Sequence, residues 1–352
     1  MNIIHLEDEP WDSGIAHYAV TLAVEQSRRG HAVSFWGREG SPALEQAAKA
    51  GLPARGVASG LQGWLGLPAL RREAAALKPS VLNAHTGSSH VLALLLAPKG
   101  AVVIRTRGDA RLVKANPLTR FIASRTAAFI AANSALKASL AAAFPKTPVR
   151  LVPQGIECGE DAAPMPGMPF VGLLGRLDAV KGHGVLLDAA QILKPLFPGL
   201  RILCAGEGRL LDRLRWQLKP QALDTTVYFL GRVADKWAFL SGCRVGVVAS
   251  TGSEAVSRAA LEWMASARPL VAARVGGLPD LVEDGVTGLL VPPGDAKALA
   301  DALGSLLADP KRAEAMGRAA RARWEERFSL GPFYHATQTI YEKAIDPLPP
   351  RR

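Results

Sequence analysis

The sequence predicts an α/β chain of two Rossmann-like domains, on three observations. Its 352 residues are 49% hydrophobic and 21% charged, enough for about two cores at roughly 150 residues each. Short apolar runs alternate with longer helical stretches in both halves, the pattern of parallel strands joined by helices. Between the halves, Gly159 to Pro169 carries three prolines and no apolar period, which suits a linker.

In the first half, strands are expected at Asn2–Leu6, Ala32–Trp36, Val81–Ala84, Val102–Arg105 and Phe129–Ala131. Ala19, Leu22 and Ala23 share one helical face between the first two, and Gly30 offers a C-cap, so the chain opens on a right-handed βαβ unit. Second-half strands are expected at Phe170–Leu174, Leu200–Ala205, Val227–Leu230, Val245–Ala249, Pro269–Ala272 and Gly288–Val291. Pro310–Ala344 reads as charged helix with Trp324, Phe328, Phe333, Tyr334 and Tyr341 for docking, and Leu348–Arg352 as a fraying end. The expected domains are therefore 1–160 and 161–328, with a helix and tail over 329–352 packing back toward the first. Two such domains facing one another leave a cleft at the carboxyl ends of both sheets, where ligands bind.

The longest apolar run, Val91–Ala97, ends at Pro98, short of the ~20 residues that cross a bilayer. Met1–Leu6 reads as a buried strand rather than a signal peptide, so a cytoplasmic protein is expected. Cys158, Cys204 and Cys243 form no C-x-x-C pair, which points to reduced structural thiols and no metal site. The net charge is +11, with 18 Lys/Arg against 11 Asp/Glu in residues 1–160 and 24 against 20 after them. Mixed signs and 6% aromatics argue against a nucleic-acid partner; a basic first half suits an anionic small substrate or a membrane surface.

Chemistry-bearing residues gather in the second half. Arg176 follows a strand end in Gly172–Gly182, with Lys181 five residues on; two cations at a glycine-bearing turn hold a diphosphate or stand solvated at the surface. Glu254 and Glu262 are separated by seven residues around Ser257, Arg258 and Ala259, where a helix start presents free amides to phosphate oxygens. The plainer reading makes Glu254 a helix-cap acid and Glu262 a surface residue.

Together with Gly206–Gly208, Phe229–Val233 and Arg274–Asp295, these residues resemble the second domain of the retaining glycosyltransferases of family 4, the large group of GT-B fold. The resemblance implies a nucleoside-diphosphate-sugar donor, UDP-, GDP- or ADP-linked, and no cofactor. It places Arg176 and Lys181 on the diphosphate, Glu254 on the sugar and Glu262 on the ribose. Gly231, Arg232 and Val233 would lie beside the nucleobase. Where many members have Phe-Gly before the helix, this chain has Val256, Ser257 and Arg258; Ser257 caps the helix and donates to phosphate, and Arg258 pairs with Glu254 or reads the acceptor.

The first domain matches less tightly. Gly14 is the remaining glycine of the loop Trp11–Ala16, which approaches the donor phosphates or is a structural turn. His85 ends a strand and resembles the family histidine there. At the later position where members carry a His that bonds the transferred sugar, this chain has Arg107, followed by Asp109; an Arg binds a phosphate or an acidic sugar and does not act as a neutral base. Leu61–Arg72 and the cations Arg111, Lys114, Arg120 and Arg125 suit an anionic membrane, or a phosphorylated or acidic glycan, or are a packing loop and a solvated face.

The implied activity is hexosyl or related transfer with retention to an acidic or lipid-linked glycan acceptor, in bacterial envelope polysaccharide or lipopolysaccharide synthesis at the inner face of the membrane. The alternatives are a non-catalytic nucleotide-sugar-binding protein and a GT-B epimerase.

Overall fold

The computed structural model describes residues 1–58, 65–109, 111, 113–159, 170–252 and 254–346. Most of the expected linker lies outside them, as do Leu61–Trp64 of the expected membrane loop, Ser253, and the Leu348–Arg352 end. The chain divides into two compact units: Met1–Gly155 joined by the segment from Leu330 on, and Ile156–Ser329.

The first unit runs β1 (Asn2–Glu7), α1 (Gly14–Arg28), β2 (Ala32–Arg38), α2 (Pro42–Lys49), β3 (Ala54–Val57), α3 (Leu67–Ala76) and β4 (Val81–Ala84). It continues with α4 (Gly87–Leu96), β5 (Val102–Arg107), α5 (Pro117–Ser124), β6 (Ala128–Ala131), α6 (Ser134–Ala143) and β7 (Val149–Leu151). All seven strands are parallel, in the order β3-β2-β1-β4-β5-β6-β7. Ser13, Ser41, Thr86, Asn116 and Asn133 each accept the backbone N–H three residues on, fixing five helix starts at the sheet's carboxyl end. Ile4, Leu6, Trp36, Leu70, Leu82 and Leu96 form the core on one face.

The second unit runs β8 (Phe170–Leu174), α7 (His183–Leu193), β9 (Arg201–Ala205), α8 (Leu211–Leu218), β10 (Val227–Gly231), α9 (Lys236–Gly242) and β11 (Val245–Val248). It continues with α10 (Arg258–Ala265), β12 (Leu270–Ala273), α11 (Leu278–Leu281), β13 (Gly288–Val291), α12 (Ala296–Ala308) and α13 (Pro310–Arg327), before α14 (Leu330–Ile345) returns to the first unit. Its six parallel strands lie in the order β10-β9-β8-β11-β12-β13. Val171, Leu173, Ile202 and Val247 point to one core, while the opposite face packs on Trp263, Leu261 and Trp324. Gly172 and Gly246 face each other across β8 and β11. A Cβ on either would fall 2.5 or 2.3 Å from atoms of the fully buried Trp263, so the glycine pair makes the slot for that indole.

The eleven expected strands are present with ends shifted by up to two residues, and two more appear, β3 and β7. Both are edge strands of three or four residues, and Arg55 and Arg150 interrupt their apolar patterns. The expected tail helix is broken at Phe328–Ser329 into α13 and α14. Phe328 is buried in the second unit, and Ile156 donates its N–H to the Phe328 carbonyl at 3.0 Å. No helix among the described residues is long and apolar enough to cross a membrane.

Candidate functional site

In the second unit, four loops at the carboxyl ends of the strands are tied backbone to backbone. Gly175 N–H bonds the Ala205 carbonyl, Leu177 N–H that of Glu207, Thr251 N–H that of Val180, and Gly277 N–H that of Glu254, at 2.7 to 3.0 Å. Gly182 makes the tightest approach: its φ is +71°, and a Cβ there would lie 1.9 Å from the Ala249 carbonyl oxygen. Only glycine combines that left-handed backbone with that contact.

This framework brings Lys181 and Glu254 together. Lys181 Nζ lies 2.5 Å from Glu254 Oε1, and Ser250 Oγ donates to the same oxygen at 2.6 Å. Glu254 is 2% exposed, so the Lys181 ammonium is what keeps a buried carboxylate compensated. Arg176 stands outside this cluster, 63% exposed, with Asp178 3.3 Å away. Arg176 and Lys181 are thus one exposed and one half-buried cation on the same turn, each paired with an acid.

At the start of α10, Ser257 occupies the N-cap position but makes no side-chain cap bond, and its buried hydroxyl has no partner. The expectation that it caps the helix is corrected; its Oγ is held in reserve beside the half-buried Arg258 and Ala259. Arg258 does not pair with Glu254: its Nε bonds Glu262 at 3.0 Å, while Lys236 Nζ reaches the same oxygen at 2.6 Å. Glu262 is 5% exposed, which removes the surface reading. Gly231, at φ +68°, accepts the Gly206 N–H at 2.8 Å, with Arg232 exposed and Val233 half-buried behind it.

Sequence reasoning missed Ser250, Lys236 and His183. His183 opens α7, is 3% exposed, and has no partner for either ring nitrogen; burial and then Lys181 push it down to about 4, so it is neutral. The signal was its place directly after Lys181-Gly182.

In the first unit, Gly14 is the first residue of α1, behind the Ser13 cap. His85, directly after β4, is 1% exposed. Gln26 Oε1 accepts from His5 Nε2 at 2.7 Å, leaving His5 Nδ1 to accept from His85 Nε2 at 3.0 Å, while His85 Nδ1 is buried and unpartnered. Burial lowers His5 to about 4 and His85 well below its ordinary value, so both are neutral packing groups.

Arg107 and Asp109 form a two-point pair, Nη2 to Oδ1 at 2.7 Å and Nε to Oδ2 at 3.3 Å. Burial acts to raise Asp109, but the Arg107 bond holds it below its usual range. Arg105, absent from the expected site, is 4% exposed and 3.8 Å from the same carboxylate. The buried thiols of Cys204 and Cys243 are each pushed up to about 12 by burial and take no part.

Residues 168–309 match the family described as Glycosyl transferases group 1, and residues 13–160 match Glycosyltransferase Family 4. The D-inositol 3-phosphate glycosyltransferase of Corynebacterium urealyticum is 34% identical over 226 residues, which are 59% of this chain and 53% of that protein. The chain spans about half the length of the curated relatives it matches. A glycosyltransferase from Rickettsia africae shares its fold with a TM-score of 0.85 at 18% identity, over 99% of this chain and 100% of the other. Anabaena HepE in complex with UDP gives 0.84 at 18% identity, over 97% and 100%.

Proposed function

The chain belongs to the group 1, family 4 glycosyltransferases of GT-B fold, and from that membership we propose that it moves a sugar from a nucleoside-diphosphate donor to an acceptor hydroxyl with retention. The observation that carries this reading is the arrangement at the carboxyl ends of β8 and β11. Arg176 is exposed beside Asp178, Lys181 is paired with the buried Glu254, and α10 opens with the unpartnered Ser257 hydroxyl. Cations and helix amides in one place neutralise the charge that develops on a leaving diphosphate.

In this reaction the bond from the anomeric carbon to the phosphate oxygen breaks as the acceptor oxygen bonds the same face. The departing phosphate oxygen takes the acceptor proton, so no side chain is required as nucleophile or base. Arg176 and Lys181 hold the diphosphate, Glu254 orients the donor sugar, and Glu262 receives the ribose hydroxyls. Gly231 to Val233 border the base. The excess of positive charge in residues 1–160 supports an acidic or lipid-linked glycan acceptor, in envelope polysaccharide or lipopolysaccharide synthesis at the inner face of the membrane.

The decisive assay measures sugar transfer from UDP-, GDP- and ADP-sugars to a panel of glycan acceptors, with the product anomer read by NMR. Arg176→Ala is the cleaner variant, because Lys181→Ala strands a buried carboxylate. It should lower kcat/KM by about 100-fold at unchanged melting temperature. Full activity in Arg176→Ala removes the diphosphate assignment, and an inverted product removes the mechanism.

A further inference from the structure

Beside Arg107 the first unit buries a second guanidinium, that of Arg105. The Arg105 guanidinium donates to two carbonyls, at 3.2 Å to Ala84 and to Thr106, and both are neutral groups. The nearest carboxylate, Asp109, is already committed. It takes both contacts from Arg107 and accepts the Arg111 backbone N–H at 2.9 Å. Two arginine side chains, 5% and 12% exposed, therefore share one acid that is 17% exposed. Burial lowers Arg105 to about 9, which still leaves it charged at neutral pH.

These groups line a cavity of about 330 Å³ that also takes in Arg111, Lys114 and Gly87, the first residue of α4. Its wall carries four cations against one carboxylate; outside the wall, Asp8 and Glu9 also act on Arg105, and Glu9 lies 3.7 Å from Arg111. Ten-residue α4 adds the positive end of its dipole. A charge partly withdrawn from water is stable when an opposite charge completes it. A guanidinium fork matches a planar or tetrahedral oxyanion; the exposed Arg111 presents one directly, Arg107 presents one when the ligand takes the place of Asp109, and the cavity volume suits one such group with part of its carrier.

We propose that this cavity binds the anionic group, phosphate or carboxylate, of the acceptor. The assignment to an acceptor rests on the glycosyltransferase reading; the anion site does not.

The test titrates the full chain at low salt with glucose 6-phosphate, glucuronate and glucose, followed by calorimetry, with UDP measured in parallel. Both acids should bind and glucose should not. Because Arg111 and Lys114 are exposed, Arg111→Ala/Lys114→Ala should fold normally, bind the acids about tenfold more weakly, and leave UDP affinity unchanged. Arg107→Lys keeps the charge but loses the fork and should weaken glucose 6-phosphate as well. Equal binding of glucose and its phosphate, or an unchanged affinity in the double variant, overturns the site. With GDP and ADP measured beside UDP, displacement of glucose 6-phosphate by the nucleotide that binds, in proportion to that binding, overturns the acceptor assignment, as does acid binding by a chain that responds to none of the three. Phosphatidylglycerol vesicles, with phosphatidylcholine as control, separate a lipid headgroup from a soluble sugar acid. Binding to the anionic vesicles that the double variant abolishes, with no response to the sugar acids, makes the ligand a lipid and overturns the glycan acceptor.

Discussion

Gly182 sets where Lys181 can be. Its left-handed backbone turns the chain from the Ala179–Lys181 turn into α7, and its missing side chain lets that turn press on the Ala249 carbonyl. Gly182→Ala meets both obstacles and should destabilise the second unit by at least ~2 kcal/mol, read by chemical denaturation. A neutral substitution would mean that the close approach is not needed. Arg176, Lys181, Glu254 and Glu262 were legible in the sequence because their spacing follows strand ends and one helix start. Ser250, His183 and Arg105 were not, since each is a single polar residue inside or beside an apolar run, and only the fold shows which carboxylate or cavity it meets. Arg258 lies four residues from both acids, and because the helix begins at Arg258 it is Glu262, one turn on, that shares its face, while Glu254 precedes the helix.

At the scale of elements, α14 completes the first unit rather than ending the second. Tyr341 is fully buried, and Asn83 of β4 donates to its hydroxyl at 2.7 Å. Asn83 in turn accepts from Thr106 of β5 at 2.9 Å, and Phe333 stands edge-on to Tyr18 of α1, with ring centroids 4.8 Å apart. One helix thereby links α1, β4 and β5. Tyr341→Phe removes a buried acceptor and leaves the Asn83 amide short of a partner, which should cost about 1 to 3 kcal/mol. Hydrogen exchange should show faster opening of α14, β4 and α1 with the second unit unchanged; equal loosening of both units would sink this view of the helix. The strands were readable where they are central and wholly buried, as β4 and β11 are. Edge strands β3 and β7 were invisible because each is only three or four residues long and spends one of them on an exposed arginine, Arg55 or Arg150. Between α13 and α14 the composition is continuously helical, and the break falls at the 328/329 boundary expected between the second domain and the tail helix.

Over the whole molecule, buried titratable groups set a pH window. His5 and His183 are lowered to about 4 and His90 to about 3, and His85 lies well below its ordinary 6.5, each chiefly by burial. The unfolded chain binds protons there that the folded one refuses, so this stability is present above pH 6.5 and is lost as pH falls toward 4. Glu7 runs the other way. It is fully buried at the end of β1, and burial raises it to about 8, although the Glu9 N–H bond at 2.9 Å opposes the shift. Its contribution is present below 4.5 and is lost as pH rises through 8. Four histidines outweigh one acid in the shared interval, so unfolding free energy should climb steeply from pH 5 and turn over at about pH 7. Glu7→Gln presents the same shape as the protonated acid and ionises in neither state. Denaturation at a series of pH values should find the acid limb unchanged and the decline between pH 7 and 8, at most ~1.4 kcal/mol per pH unit, abolished. A decline that persists in Glu7→Gln would assign it to another group and leave Glu7 ionised in the folded protein, with its second oxygen, which has no bonding partner, in need of a compensating cation.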